Sequence, residues 1–292
     1  MIKTSNINNE IMDLTKEMVM IDNVNLPFSS LLLKKGTKKV SSVITNWKFE
    51  KLDNSKNLSL EGADATNFLT SDRATGDKNI CQIISKAVSV SGTANAVNTE
   101  DINDLFAHEI GNRMTEAKRD LEYYLINGVY TEESGTTPRQ MKGLVNFITG
   151  DNAVTKTSNP TIADFNNLSK IMRQAGTSGQ DLVLLADYNM TDVINTLFVD
   201  KERYVNVQNE FGSVVNKINL TYGSAYVYTV DAMPQDTMIL ANMSYIDVGE
   251  LRPLAYEELS KTGDSRKGQI VMENTLRFLH PTAAVKFTKT VA

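Results

Sequence analysis

The sequence predicts an α+β fold, and three observations predict it. A strand-like alternation leads through a long polar tip to a second strand-like stretch; one long amphipathic helix follows; and the remainder mixes short helices with strands and closes on two long strands. Helices and strands come in runs here. A regular parallel α/β sheet would alternate them strictly. With 292 residues, 41% of them hydrophobic and 22% charged, the chain has the composition of a globular protein able to bury a core.

The elements follow in order. Residues 1–40 read as an arm with one narrow helical stripe, Ile7, Ile11, Leu14, Met18 and Ile21. NLPFSSLLLKKGTKK is a Pro-broken apolar patch that ends in a turn at Gly36. In SVITNWKFEKL, residues Val43, Thr45, Trp47 and Phe49 fall on one side and Asn46, Lys48 and Glu50 on the other, as in a half-exposed strand. Residues 53–77 are polar and irregular, and NICQIISKAVSV, 79–90, is strand-like again. Two strands flanking a long polar tip make a large hairpin, and so long a segment without structure of its own is usually functional.

A helix is expected from about Thr99 to Asn127, capped by Thr99 or Asn98. Its stripe is Ile102, Phe106, Ile110, Met114, Ala117, Leu121, Tyr124 and Leu125, and Gly128 stops it. On its outer face Glu109 can pair with Arg113 and Lys118 with Glu122. At about 28 residues it would be about 42 Å long, a strut across a whole domain. The loop VYTEESGTTPRQMKG and the apolar LVNFI come next, then a polar loop over 149–160. A helix is expected over Thr161 to Ala175, with Ile162, Phe165, Leu168, Ile171 and Met172 inward. DLVLLA reads as a buried strand, Asn189 as the cap of a helix from Met190 to about Phe198, and 225–230, 238–242 and 245–251 as strands. The last segment gives two strands broken at His280–Pro281.

Chemistry is sparse. AHEIGN, 107–112, opens like a zinc-peptidase helix, but the second imidazole such a site needs one turn on is replaced by Asn112. The only other histidine is His280. Cys81 is the one cysteine, so it has no disulfide or thiolate partner within the chain and reads as structural. No phosphate-binding loop occurs; GTSGQ precedes a strand, the reverse of the dinucleotide fingerprint. No nucleophile elbow is found. Glu61 with Asp64, or Glu132 with Glu133, could hold a hard cation, with solvated loop acids as the plainer reading. Catalytic residues, metal and cofactor are therefore expected to be absent. The formal charge is −5, and Lys34, Lys35, Lys38 and Lys39 make the one basic cluster, which argues against nucleic-acid binding as a main role. No signal-peptide core and no apolar run of membrane-spanning length is seen, so no membrane partner is expected.

The layout and several stretches resemble one family. LPFSSLL with the strand around Trp47 and then LEGADAT, NICQIISKAVSVSGTANAVN leading into the long helix, and RDLEYYLINGVY…TPRQMKGLVNFI together resemble the major capsid proteins of tailed bacteriophages, which have the Hong Kong 97-like fold, in the SU10-like branch. The resemblance runs over nearly the whole chain and rests on the order of its motifs. It implies a major capsid protein that assembles into hexamers and pentamers of an icosahedral head around double-stranded DNA, without sequence-specific binding.

It also implies a division into an N-terminal arm (1–40), an extended loop (41–92), a peripheral domain (93–160 with 256–292, spine helix 99–127) and an axial domain (161–255). The loop would lie over the neighbouring subunit, with Trp47, Phe49, Leu58, Leu60, Phe68 and Leu69 as candidate contacts; packing within the subunit is the alternative for Trp47. A portal, a separate scaffolding protein and in some heads a decoration protein are the implied partners. The family's founding member crosslinks its subunits through Lys and Asn; no motif assigns that role to Lys48, Lys51 or Lys56, and no crosslink is expected. The acidic balance suits a shell that does not hold DNA tightly to its wall. Three other readings remain at this point: an encapsulin-like nanocompartment, a metal-dependent hydrolase using His108, Glu109 and His280, and a tail tube subunit.

Overall fold

The computed structural model describes residues 25–53, 55–65, 68, 71–73, 75–96, 104–179, 182–199, 216–261 and 263–290. The helical stripe expected over Ile7 to Ile21 lies outside the described residues, as do Asn98 and Thr99.

The described chain opens with helix α1, Pro27–Lys35. Proline suits this start, because a first-turn N–H has no partner within the helix. The apolar patch expected here as broken is therefore a helix that begins at the proline. Strand β1, Lys38–Lys39, follows, and then β2, Ile44–Lys48. Strand β3, Gly76–Ile80, pairs antiparallel with β2. One residue, Cys81, separates β3 from β4, Gln82–Ser91.

This corrects the expected hairpin. Its second strand is β3; residues 82–91 instead pair with β11, Ser265–Phe278, in a four-stranded sheet of order β1-β10-β11-β4, with β10 spanning Ile246–Glu258. Alternation predicted a strand over 79–90 but could not show where its pairing partner changes. Two neighbouring strands read as one.

A short helix α2, Gly92–Ala96, precedes the long helix α3, Leu105–Asn127. The 23 residues of α3 make it about 35 Å long. Asp104, extended at φ −136°, caps it by accepting from the Ala107 N–H at 3.1 Å. Its buried residues are Phe106, Ala117, Leu121, Glu122, Leu125 and Ile126. Glu109 bonds Arg113 at 3.2 Å as expected. Glu122, expected to pair outward with Lys118, is buried instead, and its carboxylate accepts the Phe28 N–H at 3.0 Å and the Ser29 N–H at 2.5 Å. It thereby supplies the acceptors that the first turn of α1 lacks. At the other end of α1, Lys35 Nζ donates to the carbonyls of Met243, Ser244 and Ile246 at 2.7, 3.2 and 3.0 Å.

The apolar LVNFI forms a short helix α4, Leu144–Phe147. Strand β5, Ala153–Lys156, lies in the segment expected as a loop. It joins a six-stranded sheet of order β5-β12-β9-β6-β8-β7 with β6 Leu182–Ala186, β7 Lys217–Leu220, β8 Gly223–Thr229, β9 Thr237–Asn242 and β12 Ala284–Lys289. Helices α5, Ile162–Gln174, and α6, Tyr188–Val199, pack on this sheet through Phe165, Leu168, Met172, Met190 and Ile194. A capping box of Thr161 and Asp164 starts α5. Asp187, not Asn189, caps α6, accepting from the Met190 N–H at 3.0 Å.

Sheet membership does not follow the expected domain boundaries. Residues 246–255 belong to the four-stranded sheet, and 284–289 to the six-stranded one. One main core runs between the sheets, from Val183, Leu185 and Ile239 to Val248, Leu276 and Phe278, with Leu121 and Leu125 of α3.

Candidate inter-subunit interface

The hairpin of β2 and β3 carries the most exposed apolar side chains of the described residues. Beyond the paired strands the two limbs stay together through the Lys51–Asp72 bridge and an exposed Arg73–Glu50 ion pair at 2.7 Å. Past that bridge the fold gives little cover. Leu52 is 70% exposed, Leu58 100%, Leu60 86% and Phe68 84%. Covering a side chain of this size contributes about 1.5–3 kcal/mol, so this surface has a strong drive to be covered from outside.

The six candidate contacts divide. Leu58, Leu60 and Phe68 stand free; Leu69 lies outside the described residues. Trp47 is half-buried against the subunit's own core, with its ring 6.1 Å from that of Phe147, which in turn stacks on Phe278 at 5.2 Å. Phe49 is half-buried at the start of the tip. Leu52 was not among the six, although it ends the same alternating run. It falls on the side of Asn46, Lys48 and Glu50, and an apolar residue on that polar side is the signal that could have found it.

The root of the hairpin is polar and buried. Asn79 is fully buried, and both halves of its carboxamide are used: Nδ2 donates to the carbonyls of Lys142 at 2.9 Å and Leu276 at 2.7 Å, and Oδ1 accepts the Lys142 N–H at 2.8 Å and the Ile80 N–H at 2.9 Å. Arg139 Nε donates to the Cys81 carbonyl at 2.7 Å, and its guanidinium meets Glu273 at 3.2 Å. Glu273, itself buried, also holds Arg252 at 2.6 Å. A buried carboxylate needs such partners, because removal from water is otherwise costly. Burial, together with the charge of Glu273, pushes the Cys81 thiol up to about 11, so at neutral pH it stays protonated and a poor nucleophile.

The residues singled out for chemistry are placed as structural groups. His108 lies half-buried on α3 beside Glu109, whose carboxylate is on Arg113. His280 makes a turn after β11, with its Nδ1 accepting the Thr282 N–H at 3.1 Å and its ring 5.5 Å from that of Tyr245. Glu132 is paired with Lys78 and Glu133 with Arg139, while Glu61 and Asp64 are exposed on the tip. Among the described residues no group of three or more His, Cys, Asp or Glu is placed to share a metal ion, and no helix is long and apolar enough to cross a membrane. Of the basic cluster, Lys34, Lys38 and Lys39 are exposed and Lys35 is bound to the three carbonyls described above.

The fold has solved counterparts. The chain is similar to the capsid of cyanophage A-1(L) at 13% identity and a TM-score of 0.73, covering 99% of each chain. It is similar to the capsid of cyanophage P-SCSP1u at 12% identity and 0.66, covering 97% of this chain and 93% of that one. It is also similar to the SrpI encapsulin of Synechococcus elongatus PCC 7942 at 11% identity and 0.59, covering 88% and 86%. At such identities these likenesses establish the fold alone, and the fold by itself does not separate a phage head from an encapsulin. Among curated proteins none matches the sequence. The family described as SU10 major capsid protein matches residues 2–291. With that match, the exposed hairpin and the Hong Kong 97-like fold meet in one conclusion: the chain belongs to the SU10 major capsid protein family and is a non-enzymatic structural subunit of a tailed-phage head, building a homo-oligomeric shell in the virion.

Proposed function

We propose that the subunit assembles into hexamers and pentamers of an icosahedral head around packaged double-stranded DNA, and that the hairpin tip is its main reach onto the neighbouring subunit. The observation that carries this is the exposure of Leu52, Leu58, Leu60 and Phe68 on a hairpin tip that its own subunit leaves uncovered. Of the candidate contacts, Leu58, Leu60 and Phe68 bind across subunits, Leu69 joins them on sequence grounds, Phe49 sits at the edge of the contact, and Trp47 supports it from within. The division into arm (1–40), extended loop (41–92), peripheral domain (93–160 with 256–292) and axial domain (161–255) is part of this reading. On sheet membership, the peripheral part is better drawn around the four-stranded sheet and α3, and the axial part around the six-stranded sheet.

A portal, a separate scaffolding protein and a decoration protein are proposed as partners from the resemblance. The DNA is held by enclosure rather than by a basic wall, in keeping with the formal charge of −5.

Replacing Leu58, Leu60 and Phe68 together by Ser tests the reading. These side chains support no core, so the variant should keep the wild-type thermal transition while its assembly, followed by light scattering, falls at least tenfold. Assembly at the wild-type level would refute the role given to the tip.

A further inference from the structure

The loop between α3 and α4 grips strand β3 along its length. Asp77 meets Lys142 at 3.4 Å. Lys78 pairs with Glu132 at 3.1 Å and lies 5.1 Å from the centroid of the Tyr130 ring. Asn79 bonds both the N–H and the carbonyl of Lys142. The Cys81 carbonyl accepts from Arg139, and Gln82 Oε1 accepts the Met141 N–H at 3.1 Å. Of the six residues from Asp77 to Gln82, only Ile80 has no polar contact among these with the loop.

The loop is itself held shut. Gly143 N–H donates to the Gly128 carbonyl at 2.8 Å, and the bridges Thr131–Gln140 and Ser134–Thr137 pair its two arms. A side chain on Gly128 would run into the Met141 carbonyl, and one on Gly143 into the Ile126 carbonyl, so only glycine lets the arms come this close. The result is a small stiff platform at the end of α3.

The hairpin, by contrast, joins the four-stranded sheet through Cys81 alone on the β3 side. A two-stranded ribbon is marginal alone, so its direction is set by the contacts at its root: the Asn79 bond to the Leu276 carbonyl, Trp47 against Phe147, and the loop. The Arg139 contact to the Cys81 carbonyl falls on that single connecting residue.

We propose that the loop 129–143 is a brace that sets the direction in which the hairpin leaves the body, and that this direction determines the curvature at which subunits join. Asn79 and Arg139 are positioning residues in this account, and Lys78, Glu132 and Tyr130 steady the strand further out. The inference rests on the proposed role of the hairpin tip in assembly.

The test uses the full chain and a charge exchange at the two exposed partners, so that the core is untouched. Lys78→Glu sets an acid beside Asp77 and opposite Glu132; Glu132→Lys reverses the other partner; the double variant restores the pair. Hydrogen exchange over residues 76–80 is read on the unassembled subunit, and shell diameter by electron microscopy. Each single variant should raise exchange at 76–80 by at least threefold and give open or mis-sized shells, and the double variant should return both readouts toward the wild type.

Asn79→Asp, which turns a doubly donating amide into an oxygen facing two carbonyls, should give the stronger defect in both. Unchanged exchange and diameter in the single variants, or a double variant no better than either single, would overturn the brace. Should the wild type form no shells, the assembly reading fails by itself, and the exchange measurement still decides whether the loop holds the strand.

Discussion

His280 was a candidate for chemistry, Trp47 for contact, and Cys81 read as structural; the surroundings of all three place them within the subunit's own packing. Trp47 lies over Phe147. The Cys81 thiol is buried and stays protonated. His280 holds its turn by accepting the Thr282 N–H, and burial lowers its pKa from the ordinary 6.5. An imidazole whose folded value lies below its unfolded value is favoured neutral by the fold. Its contribution is present in full above the unfolded value and is lost as pH falls from about 6.5 through the folded value. Stability should therefore fall as pH is lowered from 7 towards 5, and His280→Asn, which keeps an acceptor for the Thr282 N–H at every pH, should flatten that part of the profile. Urea melts at several pH values measure it; the same slope in both proteins would exclude His280 as its source. What was legible at this scale was the Asn112 that stands one turn after His108 in place of an imidazole. The burial that decides each side chain's behaviour was not, because it comes from residues far away in the chain.

At the scale of elements, periodicity was a good guide to what forms and a poor one to where it stops. The stripe of α3 was visible in Phe106, Ala117, Leu121 and Leu125, but its start is set by Asp104, a cap inside the stretch read as helix. The run 79–90 was visibly extended, yet the change of partner at Cys81 left no mark in its alternation. Helix α1 was missed because the acceptors for its first turn come from Glu122, more than ninety residues on. This link between helices carries a prediction. Glu122→Ala leaves two buried N–H groups without an acceptor and should destabilise the subunit by ~2–4 kcal/mol, while Glu122→Gln, which keeps one carbonyl oxygen, should cost about half as much. Chemical denaturation of the unassembled subunit checks both. Equal losses in the two variants would show that packing, rather than the acceptor, sets the contribution of Glu122.

At the scale of the whole molecule, two sheets share one core while a hairpin with an apolar tip remains outside it. A soluble monomer rarely exposes leucines and a phenylalanine in this concentration. In the proposed assembly the covering surface belongs to another copy, and obligate interfaces commonly bury more than about 2,000 Å². The α+β order was readable because helices and strands come in runs, and the capsid family because the resembling stretches are spread in order along a chain that the family matches over residues 2–291. The contacts were less readable: alternation marks an apolar side chain but not whether its own subunit covers it, which is why packing within the subunit stayed open for Trp47 until the structure placed it against Phe147.

The most direct measurement is negative-stain electron microscopy of the purified protein, expressed alone and together with the proposed scaffolding protein. The account predicts closed shells, or capsomers of five and six subunits, in at least one of the two preparations. A folded monomer under both conditions would contradict it.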